Sequence, residues 1–215
     1  MIFNCAIFDF DGTLFDSMPV WKNLGENYLK TLGITAKKSL NESLRTMSLS
    51  QGADFLKAEY SLDFSQKQII SGILKLIEDS YFYKILPKPG VLDFLCNLEQ
   101  KRVKMCIATA SDKTLVSAAL KRCKMEHFFC HIFSCNDFEN GKDSPEIFRA
   151  AMNFCDSDRN STIVFEDSLH AIKTAKNDNF ITAAIFDENE QNQKELQELS
   201  SFYIKSFDLA QKLLF

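Results

Sequence analysis

The chain has 215 residues, of which 46% are hydrophobic and 25% charged, and its formal net charge is -4 at pH 7. This length is sufficient for one or two domains with a buried apolar core, and the acidic balance gives no support for binding nucleic acid or an anionic membrane surface. The seven cysteines include no CxxC pair, which predicts free thiols in a reducing compartment. The N-terminus does not resemble a signal peptide, and no apolar run is long enough to span a membrane. These features together predict a cytoplasmic protein.

A short apolar segment opens the chain, and a long helical region follows it. Residues 1–8 predict a buried strand that ends at turn-forming residues. Residues 16–85 then show helical spacing of apolar positions, and three serines there are candidate helix caps: Ser17, Ser39 and Ser65. The first of these helices is expected to run unbroken to Leu32. The proline-rich segment Leu86–Gly90 ends the region, which we interpret as an all-helical insert.

Beyond Gly90 the pattern alternates between strands and helices. The predicted strands are residues 103–108, 131–133, 162–165, 181–185 and 202–204, and helices are expected at 91–101, 113–124, 145–155 and 169–176. Such alternation predicts a parallel sheet that helices cover on both faces. We therefore expect an α/β fold with a doubly wound, parallel, Rossmann-like sheet core at residues 1–15 and 86–215. A small all-helical domain, residues 16–85, is inserted after the first strand.

Four polar clusters follow the ends of predicted strands, where a doubly wound sheet binds its ligands. The clusters are Asp9–Thr13, Thr109–Ser111, Gly141–Lys142 and Glu166–Asp167. Each also has an ordinary interpretation: the first as a tight turn, the second and fourth as helix caps, and the lysine as a solvated surface residue. Their coincidence at one edge of the sheet favours a shared site.

Electrostatics indicates what such a site requires. Two like charges about 4 Å apart repel by roughly 4 kcal/mol at an effective dielectric constant near 20, so the acidic clusters cannot meet without compensation. A divalent cation supplies that compensation, and magnesium suits oxygen ligands and a phosphate substrate better than zinc does. Hydroxyl and backbone N–H groups of Thr109–Ser111 and the charge of Lys142 are candidates for holding phosphate oxygens.

The segment Asp9-Phe10-Asp11-Gly12-Thr13 closely resembles the Asp-x-Asp-Gly-Thr motif with which phosphatases of the haloacid dehalogenase superfamily begin. The later motifs of that superfamily also have counterparts here, in the same order. They are matched by Thr109, Lys142 and the pair Glu166–Asp167. A dehalogenase is disfavoured because that branch lacks the second acid, which is Asp11 here.

The resemblance implies specific roles for these residues. Asp9 is expected to attack phosphorus and form an aspartyl-phosphate, and Asp11 to act as general acid and then general base. The phosphoryl oxygens are expected to bind to Thr109, Ala110, Ser111 and Lys142. Mg²⁺ is expected on Asp9, the backbone carbonyl of Asp11 and Asp167, with Glu166 close by or connected through water.

The helical insert resembles the cap of phosphoglycolate phosphatases and β-phosphoglucomutases, which implies a small phosphorylated metabolite as substrate. Trp21 stands where the mutases have a histidine, and Thr13 is a residue that they usually lack, so hydrolysis is favoured over a sugar phosphomutase reaction. A noncatalytic phosphoacceptor signalling module is a second alternative, which the long insert disfavours. Arg45 is a candidate substrate-binding residue on the cap, although a solvated arginine is an equal interpretation.

Overall fold

The computed structural model describes residues 3–44 and 47–214. The chain divides into two compact units. One comprises Met1–Asp16 together with Ile85–Phe215, and the other is Ser17–Lys84. The first unit contains the sheet, and the second is built from helices.

The first unit is organised around six parallel strands in the order β3-β2-β1-β4-β5-β6. The strands are β1 Cys5–Phe8, β2 Lys104–Thr109, β3 His131–Ser134, β4 Thr162–Glu166, β5 Ile181–Ile185 and β6 Phe202–Ile204. The chain extends the sheet from β1 to one side and then restarts beside β1 with β4, so the strand order reverses between these two strands. This confirms the predicted doubly wound parallel sheet and places its topological switch point between β1 and β4.

In the described part of this unit there are six α-helices: α6 Val91–Gln100, α7 Lys113–Arg122, α8 Glu146–Phe154, α9 Leu169–Asn177, α10 Gln193–Leu199 and α11 Phe207–Leu214. Helix α7 ends two residues before its predicted limit, because Lys124 has a φ of 57° and so departs from helical geometry. Helices α10 and α11 were not predicted. In α10 the buried residue is Leu196, so its apolar periodicity is weak.

Aromatic packing fills the space around the central strands. The Phe8 ring of β1 stacks on the Phe165 ring of β4 with centroids 4.4 Å apart, and Phe94 of α6 meets both rings edge-on. Strands β1 and β4 are buried along their whole length. This burial is what a parallel sheet with helices on both faces requires. It also shows that some of the chain's 20 phenylalanines fill the core.

The second unit contains helices α1 Met18–Lys22, α2 Leu24–Thr31, α3 Leu40–Leu44, α4 Leu49–Glu59 and α5 Gln66–Tyr83. The capping box predicted at Ser65 is confirmed, because Ser65 and Gln68 bond reciprocally at the start of α5. The single unbroken helix predicted up to Leu32 is wrong. Asn23 interrupts it with φ -107° and ψ 21°, and its side-chain amide donates to Pro19 O at 3.1 Å.

Two further observations concern the cysteines and the apolarity of the helices. All seven cysteines are free thiols, with Cys5, Cys106 and Cys155 buried in the core of the sheet unit. Among the residues that the structure describes, none of the helices has both the length and the apolarity that crossing a bilayer requires.

Candidate active site

The first cluster lies in a tight turn at the end of β1. The Asp9 N–H donates to Phe165 O of β4 at 2.9 Å, which fixes Asp9 beside the switch point. Gly12 adopts a φ of 80°, a left-handed conformation that a glycine takes without strain, and its N–H closes the turn onto Phe15 O at 2.9 Å. The ordinary interpretation of this segment as a turn is therefore also correct, and the turn holds Asp9 with only 6% of its surface exposed.

Three carboxylates meet where β1 and β4 end. Phe8 pairs with Phe165, so Asp9 and Glu166 follow at equivalent positions on neighbouring strands, and Asp167 comes next. One carboxylate oxygen from each of Asp9, Glu166 and Asp167 lies within 4.8 Å of the others, and all three residues are buried. Hard oxygen donors grouped in this way fit a divalent cation such as magnesium. Asp11 is expected to contribute only its backbone carbonyl, and that part stays a prediction.

Lys142 reaches this carboxylate group from the loop before α8. Its Nζ forms an ion pair with Asp9 Oδ1 and lies 3.3 Å from Glu166 Oε2. The other carboxylate oxygen of Glu166, Oε1, accepts the Ser168 hydroxyl at 2.6 Å. Glu166 is therefore held on both oxygens and in turn orients Lys142 next to Asp9. The interpretation of Lys142 as a solvated surface lysine is wrong, since it is buried.

The pKa values of the site residues indicate an excess of negative charge around the three carboxylates. Burial, followed by the charge of Glu166, raises the pKa of Asp9 well above its ordinary range despite the ion pair with Lys142. The same two causes raise the pKa of Asp167 to about 8, although the Thr13 hydroxyl opposes them by donating to Asp167 Oδ1 at 3.0 Å. Burial alone would lower the pKa of Lys142, but the surrounding carboxylates outweigh it and raise that pKa. A bound cation would relieve this excess of charge.

The end of β2 supplies the neighbouring polar groups. Thr109 Oγ1 accepts the Ser111 N–H at 3.0 Å, and the Ser111 hydroxyl donates to Asp11 Oδ2 at 2.6 Å. Ala110 lies between them and is exposed. Ser111 is not the cap of α7, because Asp112 occupies the N-cap position and accepts the Thr114 N–H. The Ser111 hydroxyl thus orients the carboxylate of Asp11.

Two supporting serines, Ser134 and Ser168, had no predicted role in the site. Ser134 ends β3, and its hydroxyl donates to Ser111 O at 3.0 Å, which anchors the turn after β2. Ser168 occupies the N-cap position of α9, but its hydroxyl donates to Glu166 rather than to the helix. Both residues follow or end a strand at the same edge of the sheet, and that position was the available signal.

The structure brings the predicted residues of β1, β2, β4 and the Lys142 loop to one edge of the sheet. Arg45, the candidate on the helical insert, lies outside the described residues. Trp21 belongs to the helical unit, where its Nε1–H donates to the Tyr81 hydroxyl at 3.1 Å and the two rings meet edge-on. The indole N–H of Trp21 therefore already has a partner within its own unit.

A buried carboxylate group at the switch point of a parallel sheet, facing a lysine and a serine-rich turn, defines an α/β enzyme site for a charged ligand. Residues 6–185 match the family model of haloacid dehalogenase-like hydrolases. Because the match spans most of the chain, the protein belongs to this family and is an enzyme. The resemblance seen in the sequence motifs is confirmed.

Individual relatives extend the comparison. The chain is 24% identical to the phosphorylated carbohydrates phosphatase of Thermotoga maritima, over 80% of this chain and 79% of that protein. It is 25% identical to the β-phosphoglucomutase of Bacillus subtilis, with 79% of each chain covered. Among solved structures, a Thermotoga maritima protein with a provisional β-phosphoglucomutase assignment aligns with a TM-score of 0.86 at 20% identity, covering 98% of this chain and 100% of that one. The last comparison shows a shared fold.

Proposed function

We propose that the chain is a magnesium-dependent phosphatase that hydrolyses a small phosphorylated metabolite through an aspartyl-phosphate on Asp9. The observation that carries the proposal is the buried group of Asp9, Glu166 and Asp167 with Lys142 between two of the carboxylates. A carboxylate nucleophile needs its own charge and that of the phosphate offset, and this arrangement provides a lysine together with oxygen ligands for a cation.

In the proposed reaction, a carboxylate oxygen of Asp9 attacks phosphorus and the bond from phosphorus to the ester oxygen breaks. Asp11, oriented by Ser111, donates a proton to the leaving oxygen. Asp11 then accepts a proton from the water that attacks the aspartyl-phosphate, which releases inorganic phosphate and restores Asp9. Thr109, Ala110, Ser111 and Lys142 are the proposed phosphate-binding residues.

Magnesium would be held by Asp9, Asp167 and the Asp11 carbonyl, with Glu166 close by. When bound, the ion neutralises negative charge on the carboxylates and the phosphate. The carboxylate group fits this role because burial and mutual repulsion already raise the pKa values of Asp9 and Asp167, so a cation stabilises their ionised forms.

The helical unit is the proposed cap, inserted at residues 16–85 into a catalytic core formed by residues 1–15 and 86–215. A helical lid would exclude water during the reaction. Arg45 remains the candidate substrate-binding residue of this unit. The names of the relatives, which include a phosphatase of phosphorylated carbohydrates, support a small phosphorylated metabolite as the substrate class.

A sugar phosphomutase is the second candidate, because a β-phosphoglucomutase is among the relatives. Such an enzyme returns the phosphoryl group to a sugar instead of to water. Trp21 argues against a mutase, because it stands where the mutases have a histidine. Its indole has no titratable group, and its N–H donates to the Tyr81 hydroxyl. Hydrolysis therefore remains the preferred reaction.

The test is hydrolysis of p-nitrophenyl phosphate with and without Mg²⁺. We expect activity that a chelator abolishes and that Asp9→Asn lowers by at least about a thousand-fold, as is typical when a nucleophile is removed. The matched control is Asp16→Asn, which changes an exposed aspartate outside the carboxylate group. Full activity of Asp9→Asn would sink the mechanism. A parallel screen of sugar phosphates that follows both free phosphate and isomers distinguishes phosphatase from mutase.

A further inference from the structure

The return linker, residues Ile85–Gly90, leads from the helical unit back into the sheet unit. The Lys88 N–H donates to Leu14 O at 2.8 Å, and the Asp16 N–H donates to Leu86 O at 3.0 Å. An antiparallel bridge between Phe15 and Pro87 completes this pairing. The return linker therefore lies along the residues that directly follow Thr13.

The side chain of Lys88 connects the linker to another part of the sheet edge. Its Nζ lies 2.8 Å from Asp187 Oδ2 and donates to Phe186 O at 3.0 Å. Both side chains are shielded, with 14% of Lys88 and 4% of Asp187 exposed. Burial alone would raise the pKa of Asp187, but Lys88 and the two N–H donors of Asn189 outweigh it and lower that pKa. Removing one member of such a pair leaves a buried charge without compensation.

Asp187 is the first residue of the β5 loop, which we define as residues 187–192. This loop contacts the start of α9, two residues after Asp167. Glu190 Oε2 accepts the N–H of Leu169, the first residue of α9, at 3.1 Å. Since the Ser168 hydroxyl is directed to Glu166, Glu190 supplies the capping acceptor at this helix start. Leu169 is two residues beyond Asp167, so the β5 loop holds the backbone on one side of that carboxylate.

Lys88 is thus connected to Asp167 through two chains of contacts. Through its backbone it binds Leu14, next to Thr13, whose hydroxyl donates to Asp167 Oδ1 at 3.0 Å. Through its side chain it binds Asp187 and so the β5 loop, which reaches Leu169.

We propose that Lys88 is a positioning residue that, through its ion pair with Asp187, fixes the β5 loop and thereby holds Asp167 for cation binding. The metal-binding role of Asp167 rests on the proposed function, whereas the placement of Asp167 by Lys88 does not. Lys88 touches no reacting group; it acts through Asp187, Glu190 and the start of α9.

The informative variant is Lys88→Met, which keeps the length of the side chain and removes its charge. The matched control is Lys173→Met, because Lys173 also pairs with a carboxylate, that of Glu195, but both are exposed at 45% and 52%. We expect Lys88→Met to raise the half-saturating Mg²⁺ concentration for p-nitrophenyl phosphate hydrolysis by about tenfold, as loss of a supporting contact at a metal site does. Lys173→Met should change it less than about twofold.

Two additional variants separate charge from packing. Lys88→Arg should retain near-normal Mg²⁺ activation because it preserves the ion pair. The double variant Lys88→Met/Asp187→Asn also lacks the ion pair, so it should lose about as much Mg²⁺ activation as Lys88→Met alone. Recovery of wild-type Mg²⁺ activation in the double variant would overturn the proposal, because the defect of Lys88→Met would then come from the unpaired charge of Asp187. A loss in Lys88→Arg as large as that in Lys88→Met would also overturn it.

Hydrogen exchange at residues 165–170 gives a readout that needs no activity. In Lys88→Met this segment should exchange several-fold faster than in the wild type, whereas Lys173→Met should leave it unchanged. If the wild type hydrolyses no phosphate ester, the proposed function fails and the exchange result still decides whether Lys88 places Asp167. Unchanged exchange at residues 165–170 in folded Lys88→Met rejects the placement.

Discussion

Thr13 donates its hydroxyl to Asp167 Oδ1 at 3.0 Å from a fully buried position. Thr13→Val keeps the shape of the side chain and removes the donor, so the pKa of Asp167 should rise further and its ionised form should become harder to reach. We expect the half-saturating Mg²⁺ concentration for phosphatase activity to increase by about tenfold or more, since a hydrogen bond to a charged group contributes roughly 1.5–3 kcal/mol.

Thr13→Ser is the matched control for this experiment, because it keeps the hydroxyl and loses only a methyl group. It should retain Mg²⁺ activation close to that of the wild type, with a modest loss of stability from the small cavity. If Thr13→Val and Thr13→Ser require the same Mg²⁺ concentration, the hydroxyl does not support Asp167.

At the residue scale, the sequence predicts which side chains gather but not how they bond to one another. The clusters at Asp9, Thr109, Lys142 and Glu166 are recognisable because each follows a strand in a parallel sheet. By contrast, the bonds of Ser134 to Ser111 and of Glu190 to Leu169 depend on where loops of different strands meet. No local pattern in the chain specifies such contacts, because they join residues that are distant in sequence.

Gly90 is the N-cap residue of helix α6 and has a φ of 78°. A Cβ atom added there would lie 2.4 Å from Asp208 Oδ1 and 2.7 Å from the Asp208 backbone N, so the first turn of α11 would have to move. Gly90→Ala should therefore lower the free energy of unfolding by more than the roughly 1–2 kcal/mol that the left-handed conformation alone costs. Urea denaturation followed by circular dichroism measures the loss.

Gly33→Ala is the control for Gly90→Ala. Gly33 also has a positive φ, 73°, but an added Cβ meets nothing within 4 Å. Its substitution should cost only the backbone strain of about 1–2 kcal/mol. Equal losses at the two positions would contradict the idea that α6 and α11 require close approach at Gly90.

At the scale of elements, apolar periodicity was a good guide to the six strands and to helices α6 to α9. It was a poor guide at the break between α1 and α2, at α10 and at α11. Helices α1 and α2 were predicted as one because Val20, Leu24 and Tyr28 keep helical spacing across the break. Apolar spacing carries no information about the hydrogen bond from the Asn23 side chain to Pro19 O. Helix α10 escaped prediction because most of its residues face solvent.

At the scale of the whole molecule, the alternation of strands and helices predicts a doubly wound sheet, but alternation alone leaves the strand order open. The observed order places β1 between β2 and β4, and this brings residues more than 150 positions apart, Thr13 and Asp167, into hydrogen-bonding contact. The motifs separated along the chain become one site because the strand order reverses between β1 and β4.

The buried carboxylates predict how the stability of the protein depends on pH and metal. The pKa of Asp167 is raised to about 8 in the folded protein and that of Asp9 is raised as well, whereas both return to ordinary values on unfolding. Between about pH 5 and 8 the folded state therefore binds more protons than the unfolded state, so stability without metal should fall as pH rises. The raised pKa of Lys142 adds nothing in this window, because the lysine stays protonated in both states.

Mg²⁺ should reverse this trend, since a cation bound to the carboxylates replaces the protons that are lost. We expect the melting temperature of chelator-treated protein to decrease from pH 5 to pH 8, and the increase in melting temperature on adding Mg²⁺ to be small at pH 5 and largest at pH 8. Asp167→Asn is the control: it removes a titrating group, so its melting temperature should vary less with pH, and Mg²⁺ should raise it less. A Mg²⁺ effect that is equal at both pH values would show that these carboxylates do not bind the ion, because proton release and cation binding at one site are necessarily linked.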